Sequence, residues 1–456
     1  MDRMGTGFAS VGQGPNRAHL VGLDGRGMTG LAQMLVQQGC VVTGSVPNQG
    51  PEAERIRRLG VRVHSGHPHR SLPRSARLLV YGPGVPREHP DRLSAASRGV
   101  EQASCPEILG GLLRRGVGVA ATGGRRAGVL AAMVGWALTH AGLDPTVVLG
   151  GSAPQLGGAG RLGLGPHIVV EAAGHGPEVD LLGPDLVLIL GDDGPLARSA
   201  AIRRWAEVAP PGGYVLGLAG VGDETGDRPA GDVLVERFSL EPGHDWWGAD
   251  LREDRGRYRF RAFHRGRFAM EVRLQVPGRH HVLGALAAVA ACGRVDLPAR
   301  SIQEALEEFG GVARGFEARG SYRGVTLVDD DAPGASAVGE ALGVARQVFG
   351  RRRLCAAYRP GPLGGGESPS AGEFEAADLV LLIDEEGTEG GAIAGGLAVA
   401  LASAGKGALR APDLDGAIGE LDRHLEPGDV LVTLGAGDVG TIADAFLRRL
   451  SRDRHD

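Results

Sequence analysis

The stretch that most limits what this chain can fold into runs from Val117 to Gly128: Val-Gly-Val-Ala-Ala-Thr-Gly-Gly-Arg-Arg-Ala-Gly. A short apolar run, long enough for one buried strand, meets paired glycines and then a small-residue apolar stretch through Leu138. Strand, glycine turn and helix in that order open an α/β unit of a parallel sheet. The helix N-terminus then sits beside the C-terminal end of the strand, where a nucleotide-binding enzyme carries its phosphate loop. Such a loop needs glycines for close backbone approach, a lysine for the outer phosphates and a hydroxyl for the metal. The glycines are present, but Arg125 holds the lysine position and Arg126 the hydroxyl position. Arginine is a bulkier, planar fork and does not replace that lysine conservatively.

Composition bears directly on this substitution. Lys406 is the single lysine among 49 basic residues, and 78 of the 456 residues are glycine. The bias offers a neutral route from lysine to arginine and lowers the weight of any glycine motif taken alone. Apolar content of 42% with 23% charged residues is that of a foldable globular chain with room for two or three domains. A net charge of −5 gives no sign of a nucleic-acid-binding surface. Cys40, Cys105, Cys292 and Cys355 are too scattered for a disulfide framework or a zinc site. Residues 1–18 are polar and glycine-rich, so a disordered N-terminus without a signal peptide is expected. No apolar run reaches membrane-spanning length, so no membrane insertion and a cytoplasmic location are expected.

Taken in order, His19–Leu23 reads as a strand running into a glycine turn, and Met28–Gln38 as an amphipathic helix closed by Gly39. Residues 40–45 make a second strand, and further strand and helix signals follow at 52–59, 61–64, 78–81 and 90–98. This Rossmann-like unit points a helix N-terminus at an anion, although the same glycines serve equally as a plain tight turn. After the 117–128 stretch, a glycine-rich loop is expected up to Gly165, then a strand, 168–170, that ends at Glu171. A carboxylate there suits a metal ligand facing the loop; the alternative is a surface acid. A strand at 186–190, an antiparallel edge around Tyr258–Phe263, and a Pro277-Gly278 turn into an apolar helix complete this region. In the last third, Val325–Val328 ends in Asp329-Asp330-Asp331, and strands are read at 354–358, 379–383 and 430–434. Residues 361–372 read as a mobile loop and 441–450 as a helix. The alternation predicts three α/β domains: a Rossmann-like domain at 19–115, a central P-loop-type ATPase-like domain at 116–315 and a second Rossmann-like domain at 316–456.

Colinear strings across residues 19–450 resemble the Mur ligases of peptidoglycan synthesis, most closely those that join L-alanine to UDP-N-acetylmuramate. His19–Ala32 is similar to that family's H-x-x-G-I-G-G-x-G-M-S-G-L-A, with Asp24 at a usual glycine. Gly44-Ser45 matches its G-S-D, with Val46 for the Asp, and 80–91 keeps the Val85-Pro86 and Pro90 of S-x-A-V-P-x-x-N-P-E. Residues 141–151 match A-G-L-D-P-T-x-x-x-G-G, 277–288 match P-G-x-H-N-x-x-N-A-x-A-A, and 434–438 match L-G-A-G-D. Elsewhere the strings break. G-T-H-G-K-T-T becomes Ala121–Ala127 with Thr122 and Gly124 kept, and of E-A-D-E-S-D only Glu171-Ala172 stays. The His of D-A-D-H is Pro195, and two asparagines on the adenine side are His281 and Gly284. D-D-Y-x-H-H-P is Asp329–Ala335, and Q-P-H-R-Y-T-R is Arg359–Gly365 without its His or either Arg.

The resemblance implies ATP- and Mg²⁺-dependent amide-bond formation on a UDP-sugar acid. It implies a diphosphate cradle at Gly22, Gly25, Gly27 and Met28, lined by Ser45 and Pro86. It places the nucleotide against Thr122, Gly124, Arg125, Arg126, His280, Arg314, Asp329 and Asp330, with the metal on Glu171. Phosphoryl transfer is almost entirely positioning and charge neutralisation, so it needs that loop cation and those metal ligands. Of three matched metal-ligand positions only Glu171 remains. No catalytic set is intact, and Arg125 and Glu171 are its remnant positions. Losses across the ATP, metal and amino-acid sites favour a UDP-sugar-binding or regulatory homologue, acting by binding or by assembly with other cell-wall enzymes. The alternative is a working ligase with a divergent nucleotide site. A nicotinamide-dependent oxidoreductase would rest on Gly22, Gly25 and Gly27 alone. Beside these stand plain structural roles: His280 as a helix cap, Arg314 as a linker ion pair, Asp329 and Asp330 as solvated strand-end acids.

Overall fold

A computed structural model describes residues 17–452 except 26, 47–50, 66–70, 125, 173–176, 192–194, 220–231, 333, 362–367, 386 and 436. Three sheets follow one another along the chain. The first contains β1 (Arg17–Val21), β2 (Val41–Val46), β3 (Arg62–Ser65), β4 (Leu78–Tyr81) and β5 (Glu101–Ser104) in the order β3-β2-β1-β4-β5. All its pairs are parallel. Its helices are α1 (Met28–Gln37), α2 (Pro51–Arg58), α3 (Pro90–Ser97) and α4 (Cys105–Leu113). The strand order turns at β1 and β4, which puts a crevice at their carboxyl ends, where Gly22 and Gly82 lie.

The second sheet has ten strands: β6 (Val117–Thr122), β7 (Thr146–Ala153), β8 (Gly158–Arg161), β9 (His167–Glu171), β10 (Leu186–Ile189), β11 (Tyr214–Leu218), β12 (Leu234–Ser239), β13 (Trp246–Asp254), β14 (Arg257–His264) and β15 (Arg267–Arg273). Their order is β15-β14-β13-β12-β11-β10-β6-β9-β7-β8. Helices α5 (Arg126–His140), α6 (Pro195–Val208), α7 (His280–Arg294) and α8 (Ala299–Glu308) belong with it. The third sheet holds β16 (Glu317–Tyr322), β17 (Val325–Asp330), β18 (Leu354–Arg359), β19 (Leu379–Ile383), β20 (Ala408–Ala411) and β21 (Val430–Gly435) in the order β16-β17-β21-β18-β19-β20. It carries α9 (Ala335–Phe349), α10 (Glu389–Ser403), α11 (Leu414–His424) and α12 (Thr441–Arg452). Leu78–Tyr81 and Val117–Thr122 thus lie in different sheets.

The chain groups into two compact units, 1–252 with 258–312, and 253–257 with 313–456. The first two sheets share a unit because they share a core. Leu20, Leu31 and Ile108 from the first pack in one cluster with Val148, Val170, Val187 and Trp205 from the second. A glycine-rich loop, expected between Thr146 and Gly165, is instead the antiparallel hairpin β7–β8, onto which α1 packs backbone to backbone. A Cβ on Gly30 would stand 2.6 Å from the Leu149 carbonyl oxygen and 2.7 Å from that of Ala159. One on Gly160 would stand 2.0 Å from the Gly30 oxygen. The glycines were legible; that they serve a helix–strand contact rather than a loop was not.

Two glutamines complete this seam. The Gln33 side-chain oxygen accepts the amides of Ala159 and Gly160 at 3.0 Å, and its Nε2 donates to the Gly157 carbonyl at 2.8 Å. One turn on, Gln37 accepts from the Leu162 amide at 2.7 Å and donates to the Gly160 carbonyl at 3.2 Å. β8 is the last strand in the order, and the two amides satisfy its outer edge as a neighbouring strand would. Gly30→Ala therefore forces a displacement of rigid backbone and is expected to destabilise the first unit by about 2–3 kcal/mol. Gly293→Ala, in the last turn of α7 with open space at its Cβ, is expected to be neutral or to stabilise by about 0.5 kcal/mol. Urea unfolding of both variants measures the contrast.

Candidate functional site

The crevice of the first sheet is shaped by one tight turn. Gly22 and Gly27 take φ of 77° and 78°, a region that only glycine enters without strain. The Gly25 amide donates to the Gly22 carbonyl at 3.0 Å and the Met28 amide to the Gly25 carbonyl at 3.1 Å. Gly27 then caps α1 without a side chain, so the positive pole of the helix opens toward the crevice. The Leu23 amide donates to the Ser45 carbonyl at 3.1 Å, which ties β2 to the turn. Met28 is fully buried in the shared core, so its side chain supports the turn and does not line the crevice. Ser45 is buried and Pro86 exposed. Arg26 lies outside the described residues.

Arg92 was not singled out in the sequence, yet it organises the loop that faces the turn. Its guanidinium lies 3.7 Å from the Tyr81 ring centroid, and Nη1 donates to the Val85 carbonyl at 2.9 Å. Val85 in turn packs on Gly22, where an added Cβ would be 3.3 Å from Cγ2. Beneath the same strands, Asp91 is buried and accepts the Ser71 and Leu72 amides, each at 2.9 Å, beside His19. Burial works to raise its pKa. Hydrogen bonds from His19 and Ser71 more than offset this and hold the carboxyl well below the usual range.

In the second sheet Thr122 is fully buried, and its carbonyl accepts the Leu190 amide at 2.9 Å. Gly123 and Gly124 take φ of 107° and 75°. Any side chain on Gly123 would strike the backbone of β10's end, with the Gly191 nitrogen 2.5 Å from its Cβ. The expected glycine turn is therefore present in shape. Arg125 lies outside the described residues; Arg126 is the first residue of α5.

Glu171 is buried, which excludes the surface-acid reading. It pairs in register with Ala121, and its Oε2 accepts the Gly150 amide at 2.7 Å. A Cβ on Gly128, in the first turn of α5, would stand 2.7 Å from the same oxygen, and one on Gly150 3.0 Å from it. The carboxylate is thus wedged between the phosphate-loop helix and β7, where the helix dipole favours it. Among the described residues no group of three His, Cys, Asp or Glu side chains is placed to hold a metal ion.

The reading of His280 as a cap does not hold. Arg279 is the N-cap of α7 and makes no side-chain cap bond, while the His281 ring takes the Pro277 carbonyl at 2.7 Å. The His280 and His281 rings lie with centroids 4.0 Å apart, tilted by 46°. Gly284 faces Met133 of α5, whose sulfur would lie 3.6 Å from an added Cβ.

In the second unit the strand-end acids are interior, not solvated. Asp329 is fully buried and accepts Thr433 Oγ1 at 2.8 Å and Arg314 Nε at 3.1 Å. Arg314 also donates to the carbonyls of Gly435, at 2.8 Å, and Gly437, at 2.7 Å. Asp330 accepts the amides of Phe316 at 2.8 Å and Ala332 at 2.9 Å. Arg359, at the end of β18, pairs with Asp438 after β21 and with Glu385 after β19, the latter at 2.8 Å. These side chains bridge the carboxyl ends of three neighbouring strands, and their coming together was not foreseen from the sequence. The expected loop at 361–372 is outside the described residues over 362–367.

A model of the Mur ligase family, catalytic domain, matches residues 17–116. A UDP-N-acetylmuramate–L-alanine ligase from Symbiobacterium thermophilum is 30% identical over 459 residues, covering 95% of this chain and 94% of that protein. The chain belongs to the Mur ligase family. A ligase of the same name from Salinibacter ruber is also 30% identical, with 96% of this chain and 95% of that one covered. Among solved structures, the UDP-N-acetylmuramate–alanine ligase of Thermotoga maritima has the same fold, with a TM-score of 0.78 at 24% identity over 96% of this chain and 99% of that one. A murein peptide ligase from Psychrobacter arcticus matches with a TM-score of 0.72 at 21% identity, covering 95% and 98%.

Within this Mur ligase fold the Arg314–Asp329 pair has a pH signature. Burial raises the Asp329 pKa, and Arg314 pulls it back. In Arg314→Met the buried carboxylate loses that pull, so its folded pKa rises further above the unfolded value. The variant is expected to lose about 3–5 kcal/mol at neutral pH. Because the folded pKa is raised, the deficit is smallest below the unfolded pKa of about 4 and grows as pH rises through the folded value. Denaturant titrations of the variant and the parent from acid to neutral pH check the trend.

Proposed function

We propose that this chain is a UDP-sugar-binding homologue of the peptidoglycan-precursor ligases in which efficient ATP-dependent ligation has been lost, and that it acts by binding or regulation. The observation that carries the reading is the state of the phosphate loop. Its shape is kept by Gly123 and Gly124, but Arg126 opens α5 where a metal-binding hydroxyl is needed. Arg126 places positive charge where a divalent cation would sit. Glu171 is wedged beside the loop, with Oε2 already accepting the Gly150 amide. Pro195, at a matched ligand position, offers no donor. These residues do not fit a Mg·ATP site, and no catalytic step is assigned through one. Asp329, Asp330 and Arg314 spend their hydrogen bonds inside the second unit.

The crevice at Gly22, Gly25 and Gly27 supports the binding half of the proposal. A helix pole aimed into a glycine turn favours a diphosphate whatever the neighbouring side chains are. No described helix is long and apolar enough to cross a membrane, in keeping with a cytoplasmic role beside other cell-wall enzymes. A second reading, an active UDP-N-acetylmuramate–amino acid ligase with a divergent nucleotide site, is favoured by similarity to ligases along 95% of the chain.

Two measurements separate them. UDP-N-acetylmuramate is expected to raise the melting temperature by a few degrees without any need for Mg²⁺, as about 100-fold excess over Kd contributes close to 3 kcal/mol. With ATP, Mg²⁺, UDP-N-acetylmuramate and L-alanine together, no ADP above the blank is expected. Absence of the thermal shift overturns the UDP-sugar reading. Mg²⁺-dependent ADP release that needs the UDP-sugar establishes the active ligase instead.

A further inference from the structure

The outer face of the antiparallel end of the second sheet is built like a protein interface. Phe260, Ala262, Met270 and Val272 of β14 and β15 are buried in the core. Side chains alternate across a strand, so their neighbours face outward, and a bulge between Ala262 and Phe263 sets Phe268 opposite Phe263. There Trp247 and Phe263 stack with centroids 4.2 Å apart and planes 8° from parallel. Phe268 meets Phe263 edge-on at 5.9 Å, and the Arg261 guanidinium lies 4.9 Å from the Phe268 centroid. Phe268 is nonetheless 52% exposed. Beside it, a groove of about 370 Å³ is lined by Asp250, Arg252, Arg259, Arg261, Phe268 and Glu271.

Aromatic residues make up only 4% of this chain, so three of them together on one small face, Phe268 exposed and Trp247 and Phe263 half-buried, are not background. Aromatic side chains and arginine are the types enriched in protein interfaces and their hot spots. The charge selects the partner. Arg252, Arg259 and Arg261 line the groove with Asp250 and Glu271, and Arg273 adjoins Glu271, on a chain whose net charge is −5. Asp250 pairs with Arg261 at 3.2 Å, and Glu271 is shared between Arg259 and Arg273, each at 3.5 Å. Guanidinium capacity is therefore in excess, and it fits carboxylates in a planar, bidentate way. A nucleic acid fits less well. Trp247 and Phe263 cover each other's faces and Arg261 covers Phe268, so stacking faces for bases are taken. β15 is the terminal strand of the sheet, and α8 lies against it.

We propose that this face docks an acidic segment of a partner protein, with carboxylates on Arg252, Arg259 and Arg273 and an apolar side chain against Phe268. The proposal does not depend on whether the phosphate loop is active. The test uses the full chain and a labelled ten-residue peptide of alternating Glu and Val, followed by fluorescence anisotropy, with a Lys-for-Glu peptide and a twelve-base oligothymidine as comparisons. The Glu peptide is expected to bind, and raising the salt is expected to weaken it several-fold. Arg252→Glu with Arg259→Glu is expected to weaken it at least about tenfold, and Phe268→Ala by about fivefold, with unchanged melting temperatures. The neutral Arg259→Gln is expected to give an intermediate loss. Equal binding of the Lys peptide, tighter binding of the oligothymidine, no binding of the Glu peptide, or binding indifferent to these variants would each overturn the proposal.

Discussion

The structure of the first unit depends on how closely one helix backbone approaches a hairpin. α1 can lie on β7–β8 only because Gly30 and Gly160 have no side chains: each would drive a Cβ into a carbonyl oxygen of the other element. At that separation the helix reaches the hairpin's outer edge, and Gln33 and Gln37 satisfy peptide groups that would otherwise lie unpaired at a buried seam. The same closeness lets residues of the first sheet enter one core with Val148, Val170 and Val187 of the second. Two sheets that the sequence pattern separates near residue 115 therefore act as one body.

This contact also fixes the geometry between two glycine turns. The N-terminus of α1 forms the turn at Gly22–Gly27, and one turn further along, Gly30 touches Leu149. The next residue, Gly150, holds the Glu171 carboxylate, which lies against Gly128 of the phosphate-loop helix. The turn at Gly22–Gly27 and the glycine turn before α5 are thus linked through backbone contacts and the Glu171 carboxylate. A chain under the proposed reading can lose phosphoryl transfer while keeping the scaffold that positions a UDP-sugar.

What the sequence made legible follows from this division of labour. Strands such as Leu78–Tyr81 and Leu379–Ile383 were read with their observed bounds, because a buried parallel strand is an unbroken apolar run that needs no knowledge of its neighbours. The hairpin β7–β8 was read as loop because its glycines serve a partner far away in sequence; glycine count says nothing about which backbone approaches. The cradle turn was legible from Gly22 and Gly27, since positive φ is a local demand. Arg92, Arg359, Glu385 and Asp438 were not, because each acts through residues brought together only by the strand order. Met28 joins the cradle turn through its amide, which donates to the Gly25 carbonyl, while its side chain packs in the core.

The acids of the second unit show why a retained residue does not certify retained chemistry. Asp329 and Asp330 keep the family's paired carboxylates, yet each oxygen serves the fold. Asp329 pins Thr433 and Arg314, and Arg314 in turn ties down the carbonyls of Gly435 and Gly437. Asp330 closes the chain between Phe316 and Ala332. A buried carboxylate that loses its donors costs several kcal/mol whether or not a ligand is ever bound. Structural demand alone is therefore enough to hold such residues in place.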